Sequence, residues 1–240
     1  MKKKKIIILV LRSNMSLNAT TIIQGASVVG IKCPSAVIIG VEKRTTAKLQ
    51  NPRTLRKLVK LDEHIVLAFA GLNADARVLI DRARVECQSY RLTYEDKPPV
   101  ESIARSIAQL QQKYTRSGGM RPFGISTFIA GFDKDVPQLY RTRPAGTHTS
   151  WKANATGRSG SNLRQFLEKN YKDDMSKDEC VELAVKTLLE VVESGAKNME
   201  IAVLTADKPM ETLSSDTLDS IVKKIEEEKA EKEESKEKEK

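Results

Sequence analysis

Aromatic residues are scarce in this chain, 5% of 240 residues, and no basic stretch is interleaved with them. The stacking platform that holds single-stranded nucleic acid is therefore missing. The formal net charge of +9 does not replace it. Lys2 to Lys5 contribute four positive charges together, and the segment Lys223 to Lys240 nearly cancels itself with seven lysines and eight glutamates. No nucleic-acid partner is expected. Cysteine is equally sparse: Cys33, Cys87 and Cys180 lie far apart, without a Cys-x-x-Cys pair and with only His64 and His148 as histidines. That spacing offers neither a zinc set nor a disulfide framework. Buried free thiols in a reducing compartment are the expectation, with no metal and no cofactor. Long apolar runs are also lacking. The run Ile6–Leu11 ends at Arg12, short of the roughly 7–15 residues of a secretory signal and the ~20 needed to span a bilayer. No membrane partner is expected.

What is present is a β-pattern followed by helices, twice. Apolar and β-branched stretches at 26–32 and 36–42, then 56–61 and 65–70, are separated by Lys32-Cys33-Pro34-Ser35 and by Asp62-Glu63-His64, and each pair reads as a hairpin. The two hairpins are expected side by side in one sheet. A helix is predicted from Ala74 to about Leu92 with Asn73 as N-cap and Asp75 opposing the positive helix end. A second starts at Pro98-Pro99, with the stripe Ile103, Ile107, Leu110 and Tyr114. Strands at 125–132, 138–141, 147–151 and 152–156 are expected to complete a second sheet. Ser161 or Asn162 is expected to cap a helix through Tyr171, and Ser176-Lys-Asp-Glu179 is a capping box for the next. A strand at 199–204 and a polar helix from about Ser215 close the pattern. This order implies an α+β domain, with two antiparallel sheets stacked and a helix pair on each outer face. The Lys/Glu alternation after Ile225 reads as a solvated, partly helical extension.

Candidate chemistry is thin. Gly124-Ile-Ser126 lacks the second glycine of a nucleophile elbow and leads into a strand. His64 reads as a satisfied surface histidine in a turn, and His148 has no acidic neighbour in sequence. Gly157-Arg158-Ser159-Gly160-Ser161 lacks the lysine and spacing of a P-loop, so it reads as a turn and helix cap.

The richest stretch is Ser117–Phe132, where a glycine pair precedes Arg121-Pro122-Phe123-Gly124 and a β-branched run. Proline fixes φ and Gly124 frees the turn, so Arg121 sits at a rigid corner. Together with Gly71-Leu72-Asn73-Ala74-Asp75-Ala76-Arg77 and Lys152-Ala153-Asn154-Ala155-Thr156-Gly157, this stretch resembles the alpha subunits of the 20S proteasome. The run Arg82–Leu92 resembles the alpha type-7 branch, the fourth ring position. The resemblance covers Gly25 to roughly Lys229. It implies a four-layer αββα sandwich, the Ntn-hydrolase fold, over 25–222, with 1–24 unlike the family's usual gate and first helix and 223–240 a charged tail. It also implies a noncatalytic subunit. The nucleophile position of catalytic relatives, an N-terminal threonine, falls on Ala26, with Glu42 as the nearby acid; the helper serine and aspartate fall on Arg158 and Gly195. The alternative is an active threonine protease if processing exposes Thr20, Thr21 or Ser27. For an alpha subunit the resemblance implies that Lys57, with Gly71 and Leu72 as a neighbouring wall, receives the terminal carboxylate of an activator tail. Arg121, Pro122, Phe123 and Gly124 are implied as a structural signature. The implied partners are other alpha subunits in a seven-membered ring, beta-ring subunits, regulatory ATPases and other activators, in cytoplasm and nucleus.

Overall fold

The computed structural model describes residues 25–43, 56–117, 120–192, 198–206, 208 and 210–238, with side chains to residue 227. The segment 1–24 and Gly195 lie outside these residues. Among the described residues, ten strands form two five-stranded antiparallel sheets. One contains β1 (Val28–Lys32), β2 (Ala36–Glu42), β8 (Ala153–Thr156), β9 (Met199–Thr205) and β10 (Glu211–Thr212), in the order β10-β9-β2-β1-β8. The other runs in sequence order through β3 (Leu58–Lys60), β4 (Ile65–Gly71), β5 (Ile125–Asp133), β6 (Val136–Thr142) and β7 (His148–Ser150).

Alternation along the strands assigns each residue to one of three apolar layers. Val28, Val37, Ile39, Val41 and Ala202 meet Val66, Ala68, Phe128, Ala130 and Leu139 between the sheets. The opposite residues of the second sheet, Ile65, Leu67, Phe69, Ile125 and Ile129, pack under helices α1 (Asn73–Tyr94) and α2 (Val100–Arg116). Those of the first, Val29, Ile31, Ile38 and Ile201, pack under α3 (Gly160–Asn170), α4 (Lys177–Leu189) and α5 (Ser215–Lys238). The expected four-layer sandwich is present, with a third helix joining the α3–α4 layer. Leu218, Val222 and Ile225 bury the inner stripe of α5 against that layer.

Several local expectations differ from the structure. The two hairpins do not share a sheet: β2 takes β9 as its other neighbour, and β4 takes β5. A hairpin pattern records its own turn and says nothing about which strand later occupies its free edge. The strands at 147–151 and 152–156 likewise separate, β7 pairing with β6 and β8 with β1. Between them the chain passes from one sheet to the other, Trp151 donating its N–H to Leu139 O while Lys152 O receives the Lys32 N–H. Leu72 rather than Asn73 is the cap position of α1, and Asn73 is already helical. Ser159, in the left-handed region at φ 55°, precedes α3, so Ser161 and Asn162 lie inside the helix. The Ser176 capping box is formed as read: Ser176 Oγ accepts the Glu179 N–H, and Glu179 Oε2 accepts the Ser176 N–H at 2.7 Å. All three cysteines are buried free thiols, and burial pushes the Cys87 thiol up to about 12.

Candidate functional site: one end of the sandwich

The chain starts β1, ends β2 and ends β8 at one end of the first sheet. At the same end of the second, β3 starts, β4 ends and β5 starts. A side-chain bond ties the two ends together, from Arg141 near the end of β6 to Thr156 Oγ1 at the end of β8, 3.0 Å long. The residues singled out from sequence gather here. Ala26 lies buried just before β1, and its carbonyl oxygen would stand 2.4 Å from a Cβ added at Gly157. Gly157 has φ +99°, a conformation L side chains rarely adopt, so glycine is required there on both counts. Arg158 N donates to Gly25 O at 2.9 Å, closing the end of β8 over the start of β1.

Glu42 is the acid expected beside Ala26, and it is nine-tenths buried. Its Oε2 accepts the Ser27 backbone N–H at 2.8 Å. The carboxylate is thus committed to an internal backbone N–H. Alanine offers a methyl group at that position, and Ser27, the nearest hydroxyl in sequence, is fully buried. His64 does not belong to this end. It lies in the β3–β4 turn, with Nε2 2.9 Å from Pro98 O and Nδ1 3.9 Å from Asp62. Its side chain is 11% exposed, so it is satisfied at Nε2 but not a surface group.

Lys57, Gly71 and Leu72 share the mouth of the second sheet. Lys57 is half-buried immediately before edge strand β3, where its carbonyl accepts the Phe69 N–H at 3.2 Å. Gly71 follows two residues later at the end of β4, with φ +126° and Gly124 O only 2.2 Å from where a Cβ would stand. Leu72 is 39% exposed, and its N–H donates to that same Gly124 carbonyl.

The corner 121–124 is anchored across this junction. Arg121 donates from both terminal nitrogens to the Asp75 carboxylate at 2.6 and 2.7 Å, and Asp75 Oδ2 also accepts the Gly124 N–H at 2.9 Å. The Arg121 hydrogen bonds hold the Asp75 carboxyl below its usual range, against the opposing effect of burial. Phe123 is buried and stacks obliquely on Tyr114 of α2, ring centres 4.5 Å apart. Sequence reading placed Arg121 at a rigid corner but took Asp75 only as a helix-end charge. Its ion-pair partner lies 46 residues away, beyond any local pattern.

Among the described residues no group of His, Cys, Asp and Glu is placed to hold a metal ion. This end therefore combines a buried Ala26, where the resemblance had put the nucleophile position, an acid committed to the backbone, and the partly exposed Lys57, Gly71 and Leu72.

Comparison with known proteins places this arrangement. A family model described as proteasome subunit matches residues 22–205. The chain is 58% identical over 209 residues to proteasome subunit alpha type-7 of Cicer arietinum, covering 86% of this chain and 84% of that one. It is 55% identical over 207 residues to the alpha type-7 subunit of Dictyostelium discoideum, covering 86% and 82%. To the alpha type-8 subunit of Mus musculus it is 55% identical over 218 residues, covering 90% and 87%. With well over half its length matched by the family model and these alpha-type relatives aligned along most of it, the chain belongs to the proteasome subunit family.

Proposed function

We propose that this chain is a noncatalytic alpha-ring subunit of the 20S proteasome core, contributing to ring assembly, substrate entry and the docking of regulators in protein degradation. The observation that carries the noncatalytic reading is Ala26. A methyl group cannot be acylated, and the acid beside it is already bonded to the Ser27 N–H. A threonine-type nucleophile needs both a hydroxyl and a free amine acting as base. Ser27 would supply them only if the chain were cut before it, and it lies fully buried in the intact fold.

The partners in this reading are other alpha subunits in a seven-membered ring, beta-ring subunits, and regulatory ATPases and activators. Lys57, Gly71 and Leu72 receive an activator's C-terminal carboxylate. An ammonium on a flexible stem suits a single carboxylate arriving in a wet groove, and Gly71, whose missing side chain makes room for Gly124 O, fixes the wall beside it. The corner Arg121-Pro122-Phe123-Gly124 supports that wall from beneath through Asp75. Cytoplasm and nucleus are the proposed locations.

The test is the native complex. Affinity purification of the full chain from its own cells, followed by native mass spectrometry, is expected to return it within a particle of alpha and beta proteasome subunits. Recovery only as a free monomer would overturn the reading. The purified chain alone is expected to cleave no peptide substrate. Activity that survives repurification and is abolished by a threonine-directed covalent inhibitor would restore the protease alternative.

A further inference from the structure

Among the described residues, Arg141 is a buried charge with no opposite charge paired to it. It projects from β6 into the space between the sheets, 8% exposed, with its guanidinium carbon 5.9 Å from the centre of the Phe128 ring. Its three hydrogen bonds all end on neutral oxygens: Nε to Ser126 Oγ at 3.3 Å, and the terminal nitrogens to Asn154 Oδ1 at 3.3 Å and Thr156 Oγ1 at 3.0 Å. Among the described residues no carboxylate forms an ion pair with it. The charges that act on it are two more arginines, Arg143 and Arg164. Burial, with these two repulsions added, brings it down to about 10. It therefore remains a cation at neutral pH, and a buried cation without a counter-ion carries a solvation cost that hydroxyl and amide oxygens only partly offset.

A second observation points the same way. Asn154 is 1% exposed, and its Oδ1 is used by Arg141 and by the Ala155 N–H, whereas its Nδ2 has no hydrogen-bond partner. A guanidinium carries five N–H donors, so three bonds leave two of them over, next to the unused amide N–H groups of Asn154. The surplus at this spot consists of donors and positive charge together. A water molecule would satisfy the donors but leave the charge unanswered.

We propose that Arg141 and Asn154, with Arg143 and Arg164 at the approach, form a receptor for one oxyanion, a phosphate group or a carboxylate, between the two sheets. Arg143 is exposed two residues further along the chain, and Arg164 is half-buried on α3 with its Nε bonded to Gly160 O. Both are more exposed than Arg141, and both act on its charge. Bidentate geometry favours a planar or tetrahedral oxyanion over a spherical halide. The site is independent of the function proposed above: it needs neither ring assembly nor an activator.

The experiment titrates inorganic phosphate and acetate separately into the full-length chain against sodium chloride at matched ionic strength, following thermal unfolding and calorimetric binding. Phosphate or acetate is expected to raise the unfolding temperature well beyond chloride, and whichever acts identifies the anion class. Arg141→Gln, which keeps hydrogen-bonding capacity but removes the charge, is expected to lose at least tenfold in affinity and to be no less stable than wild type in chloride alone. Arg143→Gln, at an exposed position, is expected to fold normally and to bind several-fold more weakly. Equal responses of wild type and Arg143→Gln to all three salts would overturn the proposal even if Arg141→Gln failed to fold. So would a wild type indifferent to both anions.

Discussion

The carboxylate of Asp75 accepts three hydrogen bonds, two from Arg121 and one from the Gly124 N–H, and so fixes the approach to β5 against the first turn of α1. The two-oxygen, two-nitrogen geometry makes this a directional clamp, although Arg121 itself is 59% exposed. Asp75→Asn removes the charge and leaves donors facing an amide. It is expected to destabilise the chain by about 1–3 kcal/mol at neutral pH, the usual cost of leaving a buried hydrogen-bonded group unpaired. The pH dependence has a definite sign. The folded-state carboxyl is held below its ordinary value, so its contribution is fully present above the ordinary carboxylate range and is lost as pH falls through the folded-state value. Urea denaturation of wild type and Asp75→Asn should accordingly differ most near pH 7 and converge as pH falls well below the ordinary carboxylate range. A difference that stays constant across that range would refute the clamp. Asp62 follows the same sign. Burial pushes its carboxyl up, but hydrogen bonds from Arg91 and the Glu63 N–H outweigh it and hold it low. What sequence could convey here was the stiffness of Arg121-Pro122-Phe123-Gly124. It could not convey the partner, because Asp75 at a helix start already has a sufficient local reason to be acidic.

Helix ends separate what is locally encoded from what is not. Ser176 and Glu179 satisfy each other's backbone donors within one turn, so the motif alone predicts the start of α4. α1 and α3 have no side-chain cap. The chain enters α1 from Leu72, whose N–H is already bonded to Gly124 O across the sheet, and enters α3 through a left-handed Ser159. Tertiary contacts replace the cap in the first case and backbone conformation in the second, and neither leaves a residue-type signature. Ser176→Ala is expected to cost about 1 kcal/mol. Gly71→Ala is expected to cost more, because it combines φ +126° with a backbone oxygen 2.2 Å from the new methyl group. Thermal unfolding of the two variants side by side checks the order. An alanine at 71 that leaves the unfolding temperature unchanged would mean that the β4–α1 junction relaxes freely. Strand pairing obeys the same division. The hairpin turns at 33–35 and 62–64 were legible, but the allocation of the hairpins to different sheets depends on β9 and β5, more than 50 residues downstream of each.

The three stacked apolar layers make one end of the sandwich the place where chain starts, chain reversals and polar side chains collect. The position of Lys57 there, just before the outermost strand of its sheet and half-buried, leaves it close to a surface that a second polypeptide can reach. Lys57, Gly71 and Leu72 were legible through the resemblance to alpha subunits, in the runs Arg56-Lys57-Leu58 and Gly71-Leu72. Sequence reading passed over Arg141, because an arginine between Tyr140 and Thr142 in a half-apolar strand looks like an outward residue until the register turns it inward. The proposed docking role yields a separable expectation. In an assembled particle, Lys57→Ala should weaken activation by tail-bearing regulators while leaving subunit composition unchanged. An ion pair in a wet groove is worth on the order of 1 kcal/mol, more if desolvated, so the affinity loss should be about fivefold or greater. Because the contribution is electrostatic, the gap between wild type and variant should narrow as salt is raised. Activator binding measured by surface plasmon resonance at low and high salt, with native mass spectrometry as the control for assembly, distinguishes the cases. Equal affinities at every salt concentration would remove Lys57 from the docking site. A particle lacking neighbouring subunits would instead assign the residue to assembly.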